Sequence, residues 1–79
     1  MIKLNILNMK NFLETVNACE GAVFMVDANS EKTDIHRQYD IQNKLMNEYR
    51  KRKNSLPVLL NVPDPRDYMS IVSYYAGDC

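Results

Sequence analysis

The sequence predicts an α/β domain of the α+β kind, with elements in the order βαββαβα and a four-stranded sheet in the order 1-4-2-3. Three observations carry this. Apolar residues switch along the chain between a period of two and a period near 3.6, the spacings of half-buried strands and amphipathic helices. Gly21-Ala22-Val23-Phe24-Met25-Val26 is the longest run without a polar side chain and reads as a buried central strand. The segment after it is mostly polar, and polar strands belong at sheet edges.

Ile2, Leu4 and Ile6 alternate with Lys3 and Asn5, which predicts a first strand with one buried face. Met9, Phe12, Leu13, Val16 and Cys19 then fall at helical spacing. Asn8 suits the N-cap and Gly21 the left-handed position after the C-cap, so the first helix is expected over residues 9–20. The central strand follows, over residues 22–26. Turn formers fill Asp27-Ala28-Asn29-Ser30-Glu31, and a weak third strand, Lys32-Thr33-Asp34-Ile35-His36, completes a hairpin.

Residues 37–53 contain no glycine or proline, and Ile41, Leu45 and Tyr49 line one face. Opposite charges sit four apart at Asp40 and Lys44, Lys44 and Glu48, and Glu48 and Arg52, which predicts a long amphipathic helix capped by Asp34 or Asp40. After Asn54-Ser55, residues 56–62 read as the fourth strand, with Leu56, Val58, Leu60 and Val62 facing one way and Pro57 near its start. The third helix starts at Pro63-Asp64-Pro65, with Asp64 as N-cap, Pro65 at the first helical position and Asp67 at the positive end of the helix dipole. Tyr68, Ile71, Val72 and Tyr75 form its buried stripe, and Gly77 is expected to end it.

Seventy-nine residues support a single domain over residues 1–79 with one modest core. Ten cations balance ten acids, so there is no overall steering toward nucleic acid or anionic lipid, and such a partner needs a local patch. Cys19 and Cys79 are too far apart in sequence for a CxxC site and set up neither a disulfide framework nor a zinc site. Cys79 is positioned to pair between molecules in an oxidising buffer. With no apolar core of a signal peptide at the N-terminus and no apolar run of about 18 residues, the expected location is cytoplasmic, with no membrane partner.

Two sheet orders share this element order up to the last helix. In the order 4-1-3-2 of ferredoxin-like sheets the third strand is central, whereas in the order 1-4-2-3 it is an edge. Ile35 is its one large aliphatic residue, while the second and fourth strands are the most apolar, so the second order fits. With that order, matching size and the passage Phe12-Leu13-Glu14-Thr15-Val16-Asn17-Ala18-Cys19-Glu20-Gly21-Ala22-Val23-Phe24-Met25-Val26, the chain resembles the HPr family, the histidine-containing phosphocarrier proteins of the sugar phosphotransferase system. The resemblance is topological, and it implies an open-faced sandwich with three helices on one face of a four-stranded antiparallel sheet.

The chain departs from that family where the family does its chemistry. The family's His, Arg and Pro motif lies in the loop entering the first helix, where this chain has Asn5-Ile6-Leu7-Asn8-Met9-Lys10. The family's regulatory serine lies at the start of the second helix, where this chain has Asp34-Ile35-His36-Arg37-Gln38-Tyr39-Asp40. The resemblance therefore extends to the fold and not to the phosphorylation sites.

Four sets of residues remain as candidates. His36, the one imidazole, with Arg37 beside it, is placed to hold a phosphoryl group at a helix N-terminus, against the competing reading of a solvent-facing residue at a strand end. Arg50, Lys51, Arg52 and Lys53 form a basic patch for nucleic acid, although cations also favour a helix C-terminus on their own account and the zero net charge argues against that partner. Cys19 lies on an apolar helix face and reads as core. The fourth set is a surface. An open-faced sheet should alternate, yet the second strand is apolar on both sides, so Val23, Met25 and Leu59, or Ala22, Phe24 and Val26 in the opposite register, are expected to be uncovered and to meet a protein partner or a second copy. The function expected is that of a binding or regulatory module and not an enzyme, with no catalytic residue, cofactor or metal.

Overall fold

The alternation at the N-terminus is realised as strand β1 (Ile2–Ile6), with Leu4 and Ile6 buried and Lys3 and Asn5 exposed. In the computed structural model, which describes residues 2–78 apart from the side chain of Asp78, it is followed by α1 (Met9–Ala18), β2 (Phe24–Val26), β3 (Lys32–Asp34), α2 (Tyr39–Lys51), β4 (Leu56–Asn61) and α3 (Pro65–Asp78). The expected pairing through Cys79 lies outside the described residues. The sheet is antiparallel in the order β1-β4-β2-β3, and the three helices cover one face of it. The protein is thus an α+β open-faced sandwich.

Register explains how a proline sits in an inner strand. β1 pairs with β4 from Ile2 opposite Leu60 to Ile6 opposite Leu56, which puts Asn5 opposite Pro57. The Asn5 amide points away from β4 and donates to the Tyr75 hydroxyl at 3.3 Å. In an antiparallel ladder, bonded and non-bonded pairs alternate, so Asn5 and Pro57 form a non-bonded pair and the absent proline N–H breaks no bond to β1. On its other side β4 pairs with β2 at Leu60 opposite Met25 and Asn61 opposite Phe24. Continued, that register carries Pro57 to Ala28, already in the turn.

The core lies between sheet and helices. Leu4, Ile6, Leu56, Val58 and Leu60 meet Met9, Phe12, Leu13 and Val16 of α1, Leu45 of α2 and Ile71 of α3. Full burial of each large aliphatic side chain contributes roughly 1.5–3 kcal/mol relative to exposure. The stripe expected on α3 is seen as a fully buried Ile71 with Tyr68, Val72, Tyr74 and Tyr75 half-buried.

Helix starts follow local chemistry. The Asn8 side chain accepts the Asn11 amide at 3.2 Å, satisfying one of the donors left free at the start of α1. Asp64 does the same for α3: its Oδ1 accepts the Arg66 amide at 2.8 Å, and its carbonyl accepts that of Tyr68 at 2.9 Å. The hairpin between β2 and β3 closes on Asp27, whose carboxylate accepts the amides of Asn29 at 2.8 Å and Glu31 at 3.0 Å, with Ser30 left-handed at φ 63°.

Several boundaries differ from the sequence expectation, each for a visible reason. α1 stops at Ala18, because Cys19 is already extended at φ −64° and ψ 151°. Gly21 is not left-handed; no described glycine has positive φ. Its amide and that of Glu20 are claimed by Asp67. β2 begins at Phe24, although the Val23 carbonyl still accepts the Ile35 amide at 2.8 Å.

α2 begins at Tyr39 with Gln38 at the N-cap and no side-chain cap bond, so neither Asp34 nor Asp40 caps it. Asp34 is engaged by the His36 amide at 2.9 Å, and Arg37 is left-handed at φ 55°. Among the described residues none of the three expected four-apart ion pairs forms; Glu48 instead reaches Lys51 at 3.8 Å. Lys53 and Asn54 turn the chain out of α2 at φ 58° and 63°. Gly77 lies inside α3 and does not end it.

Candidate functional site

A polar corner forms where α1, β3 and α3 converge, and one face of the sheet is left without a helix. The corner is built on Asp67, which is 5% exposed in the first turn of α3. Its Oδ1 accepts the Glu20 amide at 3.1 Å and its Oδ2 the Gly21 amide at 2.9 Å. These are the donors released when α1 stops. The two backbone bonds hold the carboxyl below the usual carboxylate range, Gly21 contributing most, with smaller support from His36 and Arg66.

His36 lies half-buried in the same corner, in the loop before α2 and not at the end of β3. Its Nε2 is 2.6 Å from the Cys19 carbonyl. A carbonyl only accepts, so Nε2 carries the proton in this contact and the neutral ring keeps its lone pair on Nδ1. Arg37 does not turn toward that atom: its amide donates to Asn17 Oδ1 at 3.0 Å and its Nε to the Asn17 carbonyl at 3.4 Å. Asp34 accepts the backbone amide of His36, and the anion that interacts with the imidazole charge is Asp67. A phosphoryl group on His36 would meet the like charge of Asp67.

Cys19, His36 and Asp67 come from three well-separated parts of the sequence, and only the fold brings them to one corner. They do not form a nucleophilic triad. The Cys19 thiol donates to the Thr15 carbonyl at 3.3 Å. Burial pushes it up to about 11, and the Asp67 and Asp64 charges act in the same direction. A thiol held protonated in this way is the opposite of an activated nucleophile. Among the described residues no three His, Cys, Asp or Glu side chains are grouped so as to hold a metal ion.

Beside this corner sits an amide pair that sequence reading passes over. Gln42, 5% exposed, donates from Nε2 to Asn17 Oδ1 at 2.7 Å and to the Ile35 carbonyl at 2.8 Å, and it accepts from Asn17 Nδ2 at 3.2 Å. It fixes the start of α2 against α1. The signal in the sequence was a polar residue one step along from Ile41 on the apolar side of the helix, which is weak without the partner in view.

The uncovered sheet face is read from the register. Val23 and Met25, expected as candidates for an exposed surface, belong to the other side. Val23 is fully buried in the core, and Met25 lies opposite core-facing Leu60 and packs against the core. Leu59 is on the open face, where the neighbouring apolar side chains are Phe24 and Val26. The pairings set Lys3 beside Leu59 and Val26 beside Lys32, the β2–β4 register when continued brings Leu59 opposite Val26, and a second row runs Asn61, Phe24 and Asp34. All three apolar residues are half-buried. Along the same rows they are flanked by Lys3, Lys32, Asn61 and Asp34.

The basic patch is exposed almost throughout, Arg50 and Lys51 closing α2 with Arg52 and Lys53 after it. Their position at the negative end of the helix dipole accounts for part of their placement. The large apolar side chains that stand well out of the surface are Leu7, Tyr39 and Met69, at 51%, 65% and 57% exposure. No described helix is long and apolar enough to cross a membrane. Set against protein-family models, curated proteins and solved structures, the chain matches none of them.

Proposed function

We propose that this protein is a non-catalytic binding module with an HPr-like arrangement, acting through protein contacts on its open sheet face. The observation that carries the reading is the Phe24, Val26 and Leu59 cluster, three apolar side chains side by side on a face that receives no helix. A solvated sheet face ordinarily alternates to polar residues, and apolar groups grouped there favour a partner surface. The protonated Cys19 thiol and the Asp67 charge that acts on His36 speak for binding over nucleophilic or phosphoryl-transfer chemistry.

The test is self-association together with partner capture. Sedimentation velocity over a concentration series should show association that Leu59→Lys abolishes, or an immobilised protein should retain a partner that the same variant loses. A protein that stays monomeric and retains the same partners with and without the substitution would sink the proposal. Leu59 is only half-buried and off the core, so folding of the variant is checked by its unchanged far-UV circular dichroism.

A further inference from the structure

We infer that the groove between α1 and α2, with the cationic end of α2, binds a single-stranded nucleic acid. Zero net charge conceals an uneven distribution. Residues 37–53 hold six of the ten cations and two of the ten acids. The surplus sits mostly at the ends of this stretch, with Arg37 before α2 and Arg50, Lys51, Arg52 and Lys53 closing it, and α2 lines a groove of about 530 Å³ with Leu13 of α1 at its side, within the ~300–1,000 Å³ range of small-ligand sites.

The groove supplies the three kinds of contact that a single strand needs. Tyr39, 65% exposed at one end, is a ring with an open face on which a base can stack. Asn43 and Asn47 line the middle, and among the described residues their side chains make no hydrogen bond, leaving donors and acceptors for base edges. Arg50 stands at the other end without an ion pair among the described residues, and the exposed Arg52 and Lys53 lie beyond it, so all three can meet phosphates. Tyr39, Asn43, Met46 and Arg50 fall on one helical line, so the backbone positions of Tyr39 and Arg50 are separated by about 16 Å along the axis at 1.5 Å per residue. That length takes two or three nucleotides. Stacking platforms beside a cationic track are the physical basis of single-strand binding. A lining rich in amides is poorly matched to the apolar anchors of a docked peptide helix, and a duplex offers no unstacked base to Tyr39.

The test is fluorescence anisotropy with a labelled mixed-sequence RNA of about twelve nucleotides and the DNA of the same sequence. Binding at low salt is expected to weaken ~10-fold in Tyr39→Ala and to be kept in Tyr39→Phe, the expected loss when one stacked base is given up. In the Arg50→Ala and Lys53→Ala double variant the slope of log affinity against log salt should fall by about 0.7 for each phosphate that is no longer neutralised. Leu59→Lys should bind the strand as wild type does. No binding at low salt overturns the inference. So does polyglutamate binding, or nucleic-acid binding that is indifferent to Tyr39→Ala in a variant whose circular dichroism is native.

Discussion

Asp67 and Gly21 are joined across 46 positions of sequence by a 2.9 Å bond from the Gly21 amide to Asp67 Oδ2, while Oδ1 takes the Glu20 amide. One carboxylate thus closes the end of α1 and anchors the start of α3 on it. Asp67→Asn replaces one acceptor oxygen by an NH₂ group that faces an N–H donor. The variant should unfold at lower urea concentration with an unchanged dependence on denaturant. An unchanged midpoint would show that water replaces the clamp.

The same carboxylate sets an acid limit. Its folded-state pKa is depressed, so its contribution is fully present above the unfolded value and is lost as pH falls through the folded value. The stability gap between wild type and Asp67→Asn should therefore be constant near neutrality and shrink below about pH 4. A gap that stays constant down to pH 2 would contradict the assignment.

Cys19 gives the complementary limit at high pH. Its thiol is raised from 9.0 to about 11, so the folded state holds a proton that the unfolded chain has already released. Stability from this source is present below pH 9 and is lost between pH 9 and 11. In a Cys79→Ser background the remaining thiol should react with a disulfide reagent at pH 8 only after denaturant is added. Rapid labelling of the native protein would mean that the thiol is neither buried nor raised.

The two glycines should respond in opposite directions to alanine. At Gly77 an added Cβ meets nothing within 4 Å inside α3, so Gly77→Ala should stabilise by up to about 1 kcal/mol, less if the last turn frays. At Gly21 the new Cβ would lie 3.3 Å from Asp67 Oδ2, an atom held by hydrogen bonds and unable to retreat freely. Gly21→Ala should destabilise, and thermal melts of the pair read both signs.

Gln42→Ala removes one hydrogen-bond partner each from the Asn17 amide and the Ile35 carbonyl, which keep the amides of Arg37 and Gln38. A loss of about 0.5–1.5 kcal/mol for each hydrogen bond removed is expected. Amide exchange should locate the damage at the start of α2, where the Arg37 amide depends on the same Asn17 oxygen. A uniform loss across the molecule would argue against that local role.

Periodicity and turn chemistry were enough for the element order, and the polarity of Lys32-Thr33-Asp34 was enough for the sheet order. What stayed hidden depended on long-range partners. The end of α1 follows from Asp67, far along the chain, and Gly21 looks like a left-handed cap only while that carboxylate is out of view. The start of α2 misled because Asp34 is used by His36. The faces of Val23 and Met25 could not be read from a run that is apolar on both sides; pairing of Met25 with Leu60 decides them. The corner of Cys19, His36 and Asp67 had no sequence signature, since its members belong to three separate parts of the chain.

The hydroxyls of Tyr49 in α2 and Tyr74 in α3 donate to consecutive carbonyls, Leu7 at 2.7 Å and Asn8 at 2.9 Å. The connection from β1 to α1 is thereby gripped by both of the other helices, while the Asn5 amide just before it is held by Tyr75. No helix can lift from the sheet at this end without releasing a carbonyl that another element depends on. The phenol groups of α2 and α3 thus tie both helices to the entry of α1, and opening at this end should be cooperative, with the amides of the first turn of α1 exchanging as one unit with the ends of α2 and α3.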